Sequence, residues 1–149
     1  MSGELPQWAQ SVGFTAHPEG GWYAETWRSN LTLPPDVLPG YDAPRAAGTA
    51  ILFLLLPGEE SAWHTVRGAE LWLYHRGAPV QLELGGDADS PSTATTISVG
   101  ADLAAGQQPQ ALVPPQHWQR ARCGGTEASL VSCVVVPGFD FADFRLVDG

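Results

Sequence analysis

The sequence predicts an all-β fold, a sandwich or barrel of short antiparallel strands. Three observations lead there. From Thr49 onward, β-prone apolar runs alternate with turns marked by Gly and Pro at short, regular intervals. No helical period of any length interrupts them. Hydrophobic residues make up 44% of the 149 positions and charged residues only 15%, a balance that supports a packed core and argues against a disordered chain. That length suits one domain, taken as residues 1–149.

The elements follow in order. Leu5 to Val12 reads as a short helix, with Pro6 in its first turn, Leu5, Trp8, Ala9 and Val12 at helical spacing, and Gly13 as its cap. His17-Pro-Glu-Gly-Gly opens as a turn that can cross the barrel mouth and continues into an aromatic, β-prone run to Ser29. Residues 30–48, rich in Pro and Gly, read as a surface loop. Eight strands are then expected at Thr49–Leu56, Ser61–Val66, Glu70–His75, Pro79–Leu84, Thr93–Val99, Gln110–Val113, Trp118–Cys123 and Ala128–Val136. The aromatic tail after Pro137 has Phe141 and Phe144 three apart, as in a last helical turn packed back on the barrel.

Charge and composition exclude several classes. The formal net charge is −9, and the 7 Lys and Arg residues are scattered, which speaks against nucleic acid and anionic membranes as partners. No apolar run is long enough to span a bilayer, and the N-terminus lacks the basic and apolar regions of a secretory signal, so a cytoplasmic protein is expected. Cys123 and Cys133 then read as free thiols. No G-x-S-x-G elbow, phosphate-binding loop, dinucleotide fingerprint or H-E-x-x-H is present.

Chemistry concentrates in Ser61 to Gly77. Period-2 alternation puts Glu70, Trp72 and Tyr74 on one face, and a turn at Arg67-Gly68 lets His64 and Glu70 point into one cavity. A histidine with a carboxylate is the minimum set for proton transfer, or part of a metal site. Trp72 and Tyr74 are equally readable as pocket lining and as core aromatics. Glu25 alternates onto one face with Tyr23 and Trp27, either paired with Arg28 or aimed at a ligand. His75 falls on the opposite face, outside the cavity.

The spacing His64, Glu70, Gly77 resembles the first cupin motif, with Val66 where metal-binding cupins place a second histidine. Pro114-Pro-Gln-His-Trp-Gln119 resembles the centre of the second motif, with Gln119 in place of its metal-binding histidine. The segments HPEGGWYAETWRS, ILFLLLPGEESAWH, AELWLYHRG, VPPQHWQRA and PGFDFADF are similar to one small cupin branch catalogued without a known function. The resemblance implies a double-stranded β-helix, or jelly-roll barrel, usually dimeric.

On this reading no cofactor is expected beyond a weak or adventitious divalent metal. His64 and Glu70 with the amide Gln119 make a poor transition-metal set, although His117, on the same face as Gln119, would improve it. The leading functional expectation is a small-molecule-binding protein, as a metal-independent isomerase or epimerase of a small polar or sugar-like substrate. His64 would be its base, Tyr74 or Glu25 its proton donor, and Gln119 the oxyanion partner. Trp72, Tyr23, His17 and His117 would contact the ligand. The alternatives are a non-catalytic binding module, a metal-dependent oxygenase or isomerase on His64, Glu70 and Gln119, and a purely structural dimer. A homodimer is expected from the resemblance and from exposed strand edges near the aromatic N-terminal segment.

Overall fold

The computed structural model describes residues 4–92 and 95–147, so the first two residues of the strand expected at Thr93–Val99 lie outside it. In chain order the strands are β1 (Thr15–Ala16), β2 (Trp22–Arg28), β3 (Thr32–Leu33), β4 (Arg45–Ala46), β5 (Thr49–Leu55), β6 (His64–Thr65) and β7 (Ala69–Arg76). They continue as β8 (Val80–Leu84), β9 (Thr95–Val99), β10 (Gln110–Val113), β11 (Gln119–Cys123), β12 (Ser129–Val136) and β13 (Arg145–Leu146). A six-stranded sheet runs β1-β2-β5-β12-β7-β10, and a five-stranded sheet runs β13-β6-β11-β8-β9. All these pairings are antiparallel. The fold is the all-β jelly roll that the strand spacing and the motif resemblance implied.

Alternation fixes the inner and outer faces. In β12, Ser129, Val131, Cys133 and Val135 are buried, while Leu130, Ser132 and Val134 face outward, half-buried. Phe53, Trp72, Val80, Leu82, Val113 and Val131 form the core between the sheets. Burial of each large member contributes about 1.5–3 kcal/mol. That packing joins the two sheets at one end of the barrel and leaves the polar inward residues at the other.

The N-terminal segment is shorter than its periodicity suggested. It is a single 3-10 turn, Gln7–Ala9, in place of a helix over Leu5–Val12. Pro6 at its entrance and Gly13 at φ +89° bracket too few residues to sustain an α-helix in isolation. Its apolar side still packs, with Ala9 and Trp8 against Leu54, Leu130 and Phe14 on one end of the larger sheet's outer face. The C-terminal turn is present as Phe141–Asp143, with the Asp140 carboxylate accepting from the Ala142 amide.

β2 also departs from simple alternation. The β2–β5 register shifts between Glu25 and Trp27, so Glu25 stands opposite Ile51 while Trp27 stands opposite Ala50. That bulge turns Trp27 outward, 51% exposed, and breaks the shared face with Tyr23 and Glu25 that strict period 2 predicted.

Gly77 closes the β7–β8 turn at φ +84°, where a Cβ would stand 1.7 Å from the Ala128 carbonyl oxygen. Gly13 has a similar φ with open space around it. Urea unfolding should therefore show Gly77→Ala losing about 3 kcal/mol or more, against about 1 kcal/mol for Gly13→Ala. Equal losses would mean that the close backbone approach is not what requires glycine at 77.

Candidate active site

The cavity opens at the end of the barrel away from the packed core, with a volume of about 380 Å³. Its wall on the larger sheet comes from register. Val135 pairs with both Thr49 and Glu70, and Cys133 with Ile51 and Trp72, so Thr49, Glu70, Cys133 and Ile51 face inward in adjacent rows. On the facing sheet His64 pairs with Gln119 across β6 and β11. The turn before β2 supplies His17 and Glu19, and β2 supplies Tyr23 and Glu25. Phe139, Asp140 and Phe141 of the C-terminal segment line the mouth.

That C-terminal segment is tied across the opening. The Phe139 amide donates to Thr49 Oγ1 at 2.9 Å, and β13 pairs with β6. The Asp143 carboxylate, only 3% exposed, receives Arg45 through two hydrogen bonds of 2.7 and 2.8 Å. Phe144 is thereby laid against His64, ring centroids 5.5 Å apart, and against His17 at 5.6 Å.

The turn His17-Pro-Glu-Gly-Gly is set by backbone bonds, His17 N–H to Gly21 O and Gly20 N–H to His17 O, both 2.9 Å. The Ala62 amide bonds the Glu19 carbonyl at 2.6 Å and docks the turn on the segment entering β6. Both readings of the turn therefore hold at once: its glycines serve backbone geometry, and that geometry aims two polar side chains inward. The Glu19 side chain is only 9% exposed. Its Oε2 lies 2.9 Å from His64 Nε2 and accepts from it.

The two ring nitrogens of His64 are committed. Nδ1 bonds the Ala62 carbonyl at 2.8 Å, which makes it the N–H donor, and Nε2 faces Glu19. Burial disfavours charge on this ring, but the Glu19 carboxylate and the Ala62 carbonyl outweigh it and raise the pKa to about 8. His17 behaves differently. Its Nδ1 accepts the Glu19 amide N–H at 3.1 Å, which leaves the ring proton on Nε2. Burial lowers its pKa, so it stays neutral.

Glu70 is the third buried group. Trp72 Nε1 donates to Gln119 Oε1 at 3.0 Å, and an indole N–H can only donate. The amide therefore turns its NH₂ toward Glu70 and donates to Oε1 at 2.7 Å. Burial raises the Glu70 pKa to about 7, against the pull of the His64 charge. Burial also raises Cys133 well above the usual thiol range, with the neighbouring Glu70 adding to the effect.

Of the residues singled out from sequence, His17, Tyr23, Glu25, His64 and Glu70 line the cavity. Gln119 and Trp72 stand behind Glu70, with 1% and 2% exposure, as a hydrogen-bonded relay. Tyr74 packs against the core, and its hydroxyl donates to the Gly77 carbonyl at 2.6 Å, so it does not line the cavity. His117 bonds the Pro115 carbonyl from the loop before β11 and does not reach the cavity, because Trp118, fully buried between them, offsets the alternation expected there. His75 lies on the outer face, bonded to Ser132. Glu25 pairs with Arg28 at 2.6 Å at the rim, the ion pair that its sequence context allowed.

Glu19 and Cys133 were missed. Alternation along β12 was signal enough for Cys133, since it shares a face with Val131 and Val135. Nothing in a Pro-Gly turn indicates which way Glu19 points. The metal-site pattern does not fit this donor set. Val66 lines the cavity where a second histidine would be needed, and the end of Gln119 facing Glu70 is an NH₂ with no lone pair to give. Among the described residues, no three His, Cys, Asp or Glu side chains are placed to hold a metal ion.

Glu70 and His64 both bind a proton more tightly folded than unfolded. Such a group stabilises fully below its unfolded pKa and loses that contribution as pH rises through the folded value. For Glu70 the loss runs from about pH 4.5 to about 7, and for His64 from about 6.5 to about 8. Chemical unfolding should thus show stability falling from pH 5 to 8, by on the order of 2–3 kcal/mol per group. Glu70→Gln should flatten the limb below pH 7, and an unchanged profile would show that Glu70 is not proton-linked to folding.

Comparison with known proteins shows what the whole chain is similar to. A hypothetical protein from Leishmania major is similar at 32% identity, covering 93% of this chain and 84% of that one, with a TM-score of 0.81. A protein from Shewanella oneidensis is similar at 33% identity, covering 93% and 81%, with a TM-score of 0.80. An uncharacterised conserved protein with a double-stranded β-helix domain from Klebsiella pneumoniae shares the fold at 15% identity and a TM-score of 0.58, covering 99% and 100%. No curated protein matches. Residues 6–147 match the family described as Cupin superfamily (DUF985), and the chain belongs to that family of cupins.

Proposed function

We propose that the cavity binds a small polar molecule and that Glu70 moves a proton on it, in a metal-independent isomerase- or epimerase-like reaction. One observation carries this reading: Glu70 is a buried carboxyl group on the cavity wall, held at Oε1 by Gln119. With a pKa near 7 it populates both protonation states at neutral pH, as an acid–base group must. The cupin barrel enclosing a cavity is the small-molecule-binding part of the reading.

The division of labour differs from that expected of the motif alone. His64, with both nitrogens engaged, serves as a fixed positive charge beside the carboxylates, and Glu70 takes the role of base. Glu70 would accept a proton from a carbon beside a carbonyl. The enediolate oxygen would accept a hydrogen bond from the His17 Nε2–H, Glu70 would return the proton to the former carbonyl carbon, and the hydroxyl proton of the carbon first deprotonated would pass to the former carbonyl oxygen. Gln119 has both amide ends engaged, so it orients Glu70 and does not hold the oxyanion.

The competing reading is a binding module without turnover, favoured by the same saturation of His64 and Gln119 and by the aromatic mouth. Incubating a panel of aldoses and ketoses with the protein in D₂O, followed by NMR, separates the two. Carbon-bound deuterium, reduced by about 100-fold or more in Glu70→Gln and by a smaller factor in His17→Ala, supports proton transfer. Ligand binding with no exchange assigns the chain to the binding class.

We further propose that two copies associate through the outer face of the larger sheet. Trp27, Ala50, Val134, Leu71 and Leu112 lie side by side across five strands, and Trp27 and Leu112 are more than half exposed. Sedimentation should report a dimer that Leu112→Arg converts to monomer. A monomeric wild-type protein would rule this out.

A further inference from the structure

The groups that the proposed reaction uses are shut in. Glu70 is 7% exposed and His17 8%, although both line the cavity. A molecule that fills about 380 Å³ can meet them only if part of the wall moves. The bonding of each wall shows which part can. β5, β12 and β7 are locked by continuous ladders, and β2 is paired with β5 along its length. The turn before β2 is held by its two internal backbone bonds and by the Ala62 amide.

The C-terminal segment is built differently. It is anchored at both ends. The Gly138 amide donates to the Ala46 carbonyl at 2.7 Å and the Phe139 amide to Thr49, while Arg145 and Leu146 pair with β6. Between these anchors the backbone bonds of residues 140–144 are local among the described residues: Asp143 N–H to Asp140 O at 2.9 Å, and Phe144 N–H to Phe141 O at 3.1 Å. This stretch forms a bow over the mouth, with Phe141 half exposed and Phe144 laid on His64 and His17.

One side chain pins the bow. Asp143 receives Arg45 from β4 and, at 3.3 Å, Arg67 from the turn between β6 and β7. Both guanidiniums lie over the Tyr41 ring, 5.5 and 4.9 Å from its centroid, and Arg67 also donates to the Gly40 carbonyl. The arginines are thus held by the barrel and its surface loop, and only Asp143 belongs to the bow.

We propose that residues 140–144 are a gate over the cavity and that Asp143 is its latch. The bow lifts between its anchors and withdraws Phe141 and Phe144 while the barrel stays folded. This rests on the proposed function only in supposing that a molecule must enter. Lifting breaks one ion-pair cluster and one set of aromatic contacts and leaves the ladders of both sheets intact, so it is a local opening. Separating a buried charge pair is costly, which keeps the empty gate closed.

The two free thiols report on the gate. Cys133 is buried in the cavity wall. Cys123 is buried at the far end of β11 from Gln119, where its thiol donates to the Glu127 carbonyl. Alkylation by N-ethylmaleimide would be followed at each thiol by peptide mass spectrometry, across urea concentrations below the unfolding transition. Relative to its rate in the unfolded chain, Cys133 should label faster than Cys123. Its rate should depend little on urea, because lifting the bow exposes little surface, whereas Cys123 should show the full dependence of global unfolding. Asp143→Asn should raise the Cys133 rate without urea about a hundredfold. Arg67→Met removes a partly exposed partner and should raise it about threefold, which keeps the latch testable if Asp143→Asn does not fold.

The same urea dependence at both thiols would mean that the cavity opens only when the barrel unfolds, and would overturn the gate. A Cys133 rate unmoved in the folded variants would mean entry through another wall, and would overturn the latch. No ligand enters the experiment. Loss of the proton-transfer reading would leave the gate standing, and a rigid bow would leave proton transfer to be decided by deuterium exchange.

Discussion

The site is organised around a buried ion pair. His64, 2% exposed, carries a proton at neutral pH because Glu19 stands 2.9 Å from Nε2 and the Ala62 carbonyl accepts from Nδ1. An imidazolium so deep in a small barrel would be lost without both partners. Its charge in turn tempers the effect of burial on Glu70 and helps to hold His17 neutral. The turn that delivers Glu19 is docked by the Ala62 amide, so the residue that accepts from His64 also helps to place the carboxylate that pairs with it.

The surrounding elements keep that pair dry. Phe144 covers the His64 ring, and it is held there by the Arg45–Asp143 bridge, itself buried, and by β13 on β6. From behind, the Trp72–Gln119–Glu70 relay fixes the orientation of an amide that would otherwise be free to flip. The bulge in β2 leaves Tyr23 and Glu25 at the cavity while sending Trp27 to the outer surface. One irregularity in one strand thereby separates cavity-lining residues from a surface residue.

The strands from Thr49 to Val136 were legible because period-2 alternation and turn residues are local signals, and they agree with the observed elements within a few residues. The same alternation placed Glu70 inward and His75 outward correctly. It also put Tyr74 inward, where the hydroxyl is spent on Gly77, and it failed at Trp27, where a bulge resets the phase. It also overstated the N-terminal helix, where apolar spacing was present but length was not.

By itself the sequence determined the barrel, its inward-facing residues and the cavity pair His64 and Glu70, because hydrophobic period and motif spacing are written along one dimension. Only the tertiary structure decided what those residues do. Which nitrogen of His64 is spent, which end of Gln119 meets Glu70, and where Glu19 points all depend on contacts between segments far apart in the chain. Hydrogen-bond donors and acceptors are assigned by partners, and partners are set by folding.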